Sequence, residues 1–479
     1  MAISVIEQKP FRNTQPVGQE VIFVVSNEDA VSNQTRVKFG VEVRISSVTI
    51  PNTAVSDDLI GTFKVTPNNA GVGIFDFRSI IENYVKADNM AANGSAYKLA
   101  TTTDETPHPL HLIDKFSKND NIIRYMVLTF FVEYLGADDG VNPVDPNKVV
   151  RATGTDSFSE AYRIWNGYLK YTDLLSIESG TSNFGYDFTP LNLTGTTKSF
   201  LTNAPATQYA NVNDYGTFGF INPLIFQDNV GDEIAKVKFA YTLNTGATAD
   251  ETIDLTEANG GYDTWAAQAD TLILYFGAFP GNLQNWSVTF KGYVTAGTIQ
   301  GGSYTVTALN SADVAMSIPY KINVNCPDVK NFDPIRLCWL NQWGAWDYYT
   351  FTKKSIQTIS TQGSTYQQLQ GTWNQSRYRV DSYKGGKKAF RVNATESITI
   401  NTEYLAEEEN VMFEEMMNSP EIYELTGYKD DASESALNTY VIPVRMKSSS
   451  FTKKTIANDR LIQYTFQIEK SKTLRTQSV

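Results

Sequence analysis

Cysteine and histidine are almost absent, with two of each in 479 residues. Cys326 and Cys338 build neither a disulfide framework nor a CxxC metal cluster, and a reducing site of synthesis fits them. His108 and His111 flank Pro109, which spoils a helix, and no further His or Cys completes a ligand set, so no metal centre is expected. Asp138, Asp139, Gly140 and Asp145 lack EF-hand spacing and its closing Glu, and read as a solvated loop. Nowhere do eighteen apolar residues run together, which excludes an ordinary helical membrane span. The opening MAISVIEQKPFRN has no basic stretch followed by a long apolar run, so export by a secretory signal is not expected and synthesis in a cytoplasm is. Positive charge is scarce too. With 40 Lys and Arg against 52 Asp and Glu, the net charge is −12, which argues against a chain whose main task is to grip nucleic acid. A conduit wall that repels phosphate and lets DNA slide past remains compatible with it.

Catalytic signatures are missing as well. There is no GxSxG elbow, Walker loop, Rossmann fingerprint or HExxH, so neither a catalytic residue nor a cofactor is assigned. Gly385-Gly386-Lys387-Lys388 lacks the spaced first glycine and the Ser or Thr of a phosphate loop, and a hairpin turn explains it better. A glycosidase carboxylate pair stays open, because its two acids come from distant parts of a sequence.

What the chain has is β-branched and aromatic residues in short runs. Its length exceeds one hydrophobic core, and the runs divide it into an N-terminal β-rich domain with one helix (1–175), a Thr/Gly-rich insertion resembling a β-sandwich (176–315), and a C-terminal β-rich part with one acidic helix (316–479). The expected class is mainly β with a few short helices, a multi-domain α+β arrangement. VIFVVS and VKFGVEVRISSVTI read as strands separated by the turn-forming SNEDAVSNQT, with Val37, Phe39, Val41, Val43 and Ile45 on one face. IIRYMVLTFFVEYL reads as a long strand or a strand pair, and YRIWNGYLKYTD as a further strand. In the insertion KVKFAYTL, LILYFGAF, WSVTFKGYV and SYTVTAL all read as strands. GIFDFRSIIENYVKAD reads as a helix capped by Asp76, with Phe77, Ile80, Ile81, Tyr84 and Val85 on its apolar stripe.

The stretch PIRLCWLNQWGAWDYYTFTKK, residues 334–354, gathers three tryptophans around one break. Ile335, Leu337 and Trp339 alternate with Arg336, Cys338 and Leu340, Asn341-Gln342-Trp343-Gly344 supplies a turn, and DYYTF continues as a second strand. The hairpin is expected to resume the main domain after the insertion and to knit its halves together. Burial is the leading reading of its rings; the functional alternative is sugar stacking on Trp343, Trp346 or Trp373. Further on, EYLAEEENVMFEEMM forms an acidic helix capped by Asn401 or Thr402, carrying Leu405, Val411, Met412 and Met416 and ended by Ser419-Pro420. The last forty residues are two strands joined by a basic loop. Glu407, Glu408 and Glu409 on that helix and Lys453 and Lys454 in that loop are candidate charges of a head-to-tail subunit interface; a solvated basic edge is the bland equivalent.

Several of these stretches together resemble one family. GIFDFRSIIENYVKAD, SFLTNAP at Ser199 to Pro205, RLCWLNQWGAWDYYTFTKKS, EEENVMFEEMMNSPEIYEL and KSSSFTKKTIANDRLIQYTFQIEKS are similar to virion structural proteins of tailed bacteriophages, especially crAss-like and related podoviruses of Bacteroidota hosts. The resemblance implies a non-enzymatic neck, tail-ring or tail-hub component, made in the host cytoplasm, assembled as a cyclic homo-oligomer with other neck and tail proteins, and meeting DNA only in transit through the channel. It carries no functional residue over. The alternatives are a tail protein that binds or degrades host glycans, and a bacterial surface adhesin or carbohydrate-binding module.

Overall fold

The computed structural model describes the chain apart from residues 1–2, 47–49, 52, 54–57, 87–115, 119–121, 137–147, 171–172, 189–190, 192, 194, 222–233, 255–272, 327–331, 373, 427–440, 456–460, 473 and 476–479. His108, His111, Asp138, Asp139, Gly140, Asp145 and Trp373 lie outside the described residues. The chain is mostly strand, arranged in several sheets with a few short helices. It divides into two compact units: one takes Met1–Asn325 with Asn341–Asp347, the other Cys326–Leu340, Tyr348–Lys429 and Ser433–Val479.

The first unit is organised by two long antiparallel strands, Thr35–Ser46 and Ile123–Leu135, which run side by side from Thr35↔Leu135 to Ser46↔Tyr125. The alternating row Val37, Phe39, Val41, Val43 and Ile45 is buried as its period predicts. Its opposite face is less exposed than a solvated strand face would be, since Arg44 is buried and donates to Thr129. Phe23 sits at the centre of the core, its ring 5.2 Å from Tyr162, 5.6 Å from Phe77 and 5.7 Å from Phe130, spacings at which aromatic pairs add to plain burial. A second aromatic cluster forms around Phe200, whose ring lies 5.1 Å from Tyr320 and 5.2 Å from Phe218. A five-stranded sheet follows, in the order 207–210, 320–324, 303–310, 234–242, 248–254.

Three sequence expectations need correction here. SNEDAVSNQT is a helical turn, Glu28–Asn33, because the Asn27 side chain accepts the Ala30 N–H and Glu28 and Asp29 suit its first turn. GIFDFRSIIENYVKAD begins as strand, Val72–Asp76, paired with Ile22–Ser26; only Arg78–Ile81 is helical, although Phe77, Ile81 and Val85 are buried as the stripe requires. WSVTFKGYV is helix rather than strand. Pro280 opens Pro280–Trp286, then Ser287 caps Val288–Thr295 by accepting the Phe290 N–H at 2.9 Å. Its β-branched residues outvote the cap in a composition count, but one side-chain acceptor at a helix start is worth about 1 kcal/mol.

The second unit is built on one sheet in the order 346–351, 335–340, 422–425, 441–446, 465–470, 386–401, 356–368, with 474–475 also on 386–401. Helix Asn410–Asn418 buries Met412, Phe413 and Met416, and Phe413 stacks on Phe466 at 5.5 Å. The helix starts later than the sequence suggests: Leu405 is held in a β-bridge to Ile462, and Glu407–Glu409 form a 3-10 turn. Ser419 ends it as expected.

Candidate functional site

The hairpin of residues 335–351 forms as its pattern predicts, and the boundary between the two units falls within it. Strand Ile335–Leu340 is buried on both faces rather than one. Trp339 is fully buried and pairs in register with Ile422. The turn, Asn341–Asp347, belongs to the first unit. There the Asn341 carbonyl oxygen of the side chain accepts the N–H groups of Trp343 and Ala345, each at 3.0 Å, which is the local bonding that makes Asn a turn former. Its amide donates to the Leu201 carbonyl at 2.9 Å. Asp347 accepts from the Thr202 hydroxyl and, at 3.4 Å, from the Asn203 N–H. SFLTNAP and NQWGAWD, far apart in sequence, are thus bonded side to side. Trp343 and Trp346 are buried at 7% and 5% exposure, so a sugar face has no access to them.

Burial pushes the Asp347 carboxyl up to about 6, against the hydrogen bonds from Thr202, Asn341 and Asn203, which pull it down. No motif flagged this residue; an acid inside an aromatic run is the one signal the sequence offers. The sign follows from linkage. At pH below 4 the group is protonated in both states. As pH rises from about 4 to about 6 the unfolded chain loses this proton and the folded chain keeps it, so stability falls across that window and stays lower above it. The loss is on the order of 3 kcal/mol. Denaturant unfolding at pH 4 and pH 6.5 should show this difference narrowing sharply in Asp347→Asn; an unchanged difference would mean Asp347 ionises as it does in the unfolded chain.

Among the described residues, no group of three or more His, Cys, Asp and Glu side chains is placed to hold a metal ion. Cys338 is buried, which pushes its thiol well above the ordinary range, while Cys326 is exposed. The candidate interface charges all lie in the second unit. Lys453 pairs with Glu414 of the acidic helix at 2.6 Å, Lys454 donates to the Gln463 carbonyl at 2.8 Å, and the Asn410 amide donates to the Lys454 carbonyl. Glu407 and Glu408 are exposed; burial, with the charge of Glu408, pushes Glu409 up against the Ala406 N–H that it accepts. Two more basic residues of this end are paired within the unit, Arg445 with Glu469 and Lys470 with Glu396.

The exposed feature is a hairpin arm. Ile356–Gln368 and Gly386–Asn401 pair from Ile356↔Thr399 to Gln368↔Gly386. The returning strand is bonded to Thr465–Lys470 only over Ser397–Asn401, and to Leu474–Arg475 at Asn393 and Ala394. From Arg391 to Gly386 the strand it is bonded to, among the described residues, is Ile356–Gln368. At about 3.3 Å per residue the outer strand runs roughly 40 Å, and ten consecutive residues from Ile356 to Thr365 are exposed, whichever face they stand on. Ile359, Leu369, Tyr378, Tyr383 and Phe390 are between 56% and 73% exposed. A two-stranded ribbon is marginal alone in water, and exposed apolar groups along one are candidates for a contact surface. Gly385 and Gly386 have φ of +91° and +77°, so the GGKK stretch serves the arm's return, as a hairpin reading requires.

No protein-family model matches the chain, and no curated protein matches it. Solved structures give faint likenesses to alpha-2-macroglobulin from E. coli, in its native conformation, and to Salmonella alpha-2-macroglobulin reacted with methylamine. Each is 8% identical with a TM-score of 0.16, and the match covers 99% of this chain and 31% of theirs. The chain therefore spans about a third of the length of these proteins.

Proposed function

We propose that the chain is a structural component of a tailed-phage virion, a cyclic homo-oligomer in the neck or tail that joins neighbouring tail proteins and lines or flanks the DNA conduit. The observation that carries this reading is the arm of residues 356–401. A long ribbon whose outer strand is exposed on both faces, with large apolar side chains at its far end, makes physical sense as a part completed by assembly. The acidic balance of the chain, net −12, suits a wall along which DNA moves without adhering. The burial of Trp343 and Trp346 takes away two of the three rings that motivated the glycan-binding alternative. Sedimentation velocity on the purified full-length chain tests the proposal: it predicts a discrete species several times the monomer mass, and the chain among the proteins of purified virions. A chain that stays monomeric at every concentration and is missing from virions would overturn it.

A further inference from the structure

The free edge of Ile356–Gln368 is unusual in what protects it. Edge strands are commonly blunted by lysine, proline or an inward charge, because their open N–H and C=O groups pair with any strand that arrives. This one, IQTISTQGSTYQQ, has no charged residue and no proline across all 13 positions. It ends the second unit's sheet, with Gly386–Asn401 as its sole bonded neighbour among the described residues. The charge of the arm lies beyond this edge. Between Ser355 and Thr395 the sequence places Arg377, Arg379, Lys384, Lys387, Lys388 and Arg391 against the single acid Asp381. Asp381 is within 3.4 Å of Arg379 and 3.3 Å of Lys384, which leaves the loop and the returning strand strongly basic on a chain whose total is −12.

We propose that this arm is the joint between subunits: the edge of Ile356–Gln368 adds strand to strand to a second copy of this chain, and the basic end of the arm is drawn to that copy's acidic surface. The proposal rests on the assembly reading above and names its contact. A second copy is favoured by charge complementarity, since everything outside the arm is more acidic than the chain as a whole. Nucleic acid fits less well. The edge itself offers no cation to a phosphate, and its unfilled valence is a row of backbone donors and acceptors, which another strand satisfies. Strand addition supplies affinity through main-chain bonds, and the basic end orients the partner and speeds its approach.

A photo-reactive amino acid at Thr361, exposed in the outer strand, tests this in the full-length protein. Light and isotopically heavy chains are mixed, irradiated and digested. The expected adducts join light to heavy peptides of this chain, and they are unchanged by nuclease. Adducts confined to a single chain, or formed with an added 30-base-pair duplex in preference to the chain, would overturn the proposal. Two variants guard against a folding artefact. Ser360→Lys with Gln362→Lys charges the edge, and Lys387→Glu with Lys388→Glu reverses the basic end; each should weaken self-association at least tenfold with an unchanged thermal transition. An oligomer that survives both variants and shows no arm adduct removes the arm as the joint while leaving the ring reading intact. A chain that never associates removes the ring reading itself.

Discussion

Trp339→Ala lowers the unfolding free energy by about 3 to 5 kcal/mol, the range for an aromatic side chain lost from a packed core. Trp339 is fully buried in a strand with no exposed face, so the cavity left behind has no solvent-side wall that can relax into it. The indole N–H is buried and finds no acceptor among the described residues. That predicts an asymmetry between substitutions. Trp339→Phe keeps most of the ring volume and removes an unsatisfied donor, whose burial costs about 1 to 3 kcal/mol, and it should therefore fall well short of the alanine loss. Urea titration of both variants measures the difference. An alanine variant within 1 kcal/mol of the parent would place Trp339 outside a packed core and reopen the ligand-platform reading.

Gly344→Ala is expected to be nearly as damaging, for a different reason and in the other unit. Gly344 has φ of +74°, a conformation that costs a residue with a Cβ about 1 to 2 kcal/mol. An added Cβ would stand 2.5 Å from the backbone oxygen of Asn166 and 3.2 Å from Cδ1 of Ile122. A main-chain carbonyl cannot swing aside as a side chain can, and overpacking of this kind costs about 1 to 3 kcal/mol more. The Gly344 carbonyl also accepts the buried Tyr275 hydroxyl at 2.9 Å, so a displaced turn orphans that donor too. A fall of about 2 to 5 kcal/mol, read by urea titration, is the expected outcome; a neutral substitution would show that the turn is not packed against Asn166.

The hairpin was legible because three local signals agreed: alternation in IRLCWL, an Asn-to-Gly turn and aromatic, β-branched residues in DYYTF. The same agreement made VKFGVEVRIS and IIRYMVLTFF readable as strands. Where signals conflicted, composition misled. WSVTFKGYV looks like strand until Ser287 is counted as a cap, and GIFDF looks helical because its apolar spacing fits both periods over so few residues. Asp347 was not legible as a buried acid, since its partners Thr202 and Asn203 lie some 145 positions away. The arm was hidden for a related reason. IQTISTQGSTYQQ has alternation weak enough to pass for a loop, and an exposed ribbon leaves no apolar stripe for periodicity to find. Of the two basic residues chosen from sequence as interface charges, Lys453 faces Glu414 of its own unit and Lys454 donates to the Gln463 carbonyl.

The measurement that bears most directly on the assembly reading is electron microscopy of the intact virion with this chain located in the density. The expected density is a closed ring of copies at the neck or tail, each arm of residues 356–401 lying against the neighbouring copy. Particles that lack the chain, or hold it as isolated single copies with the arm in solvent, would contradict it.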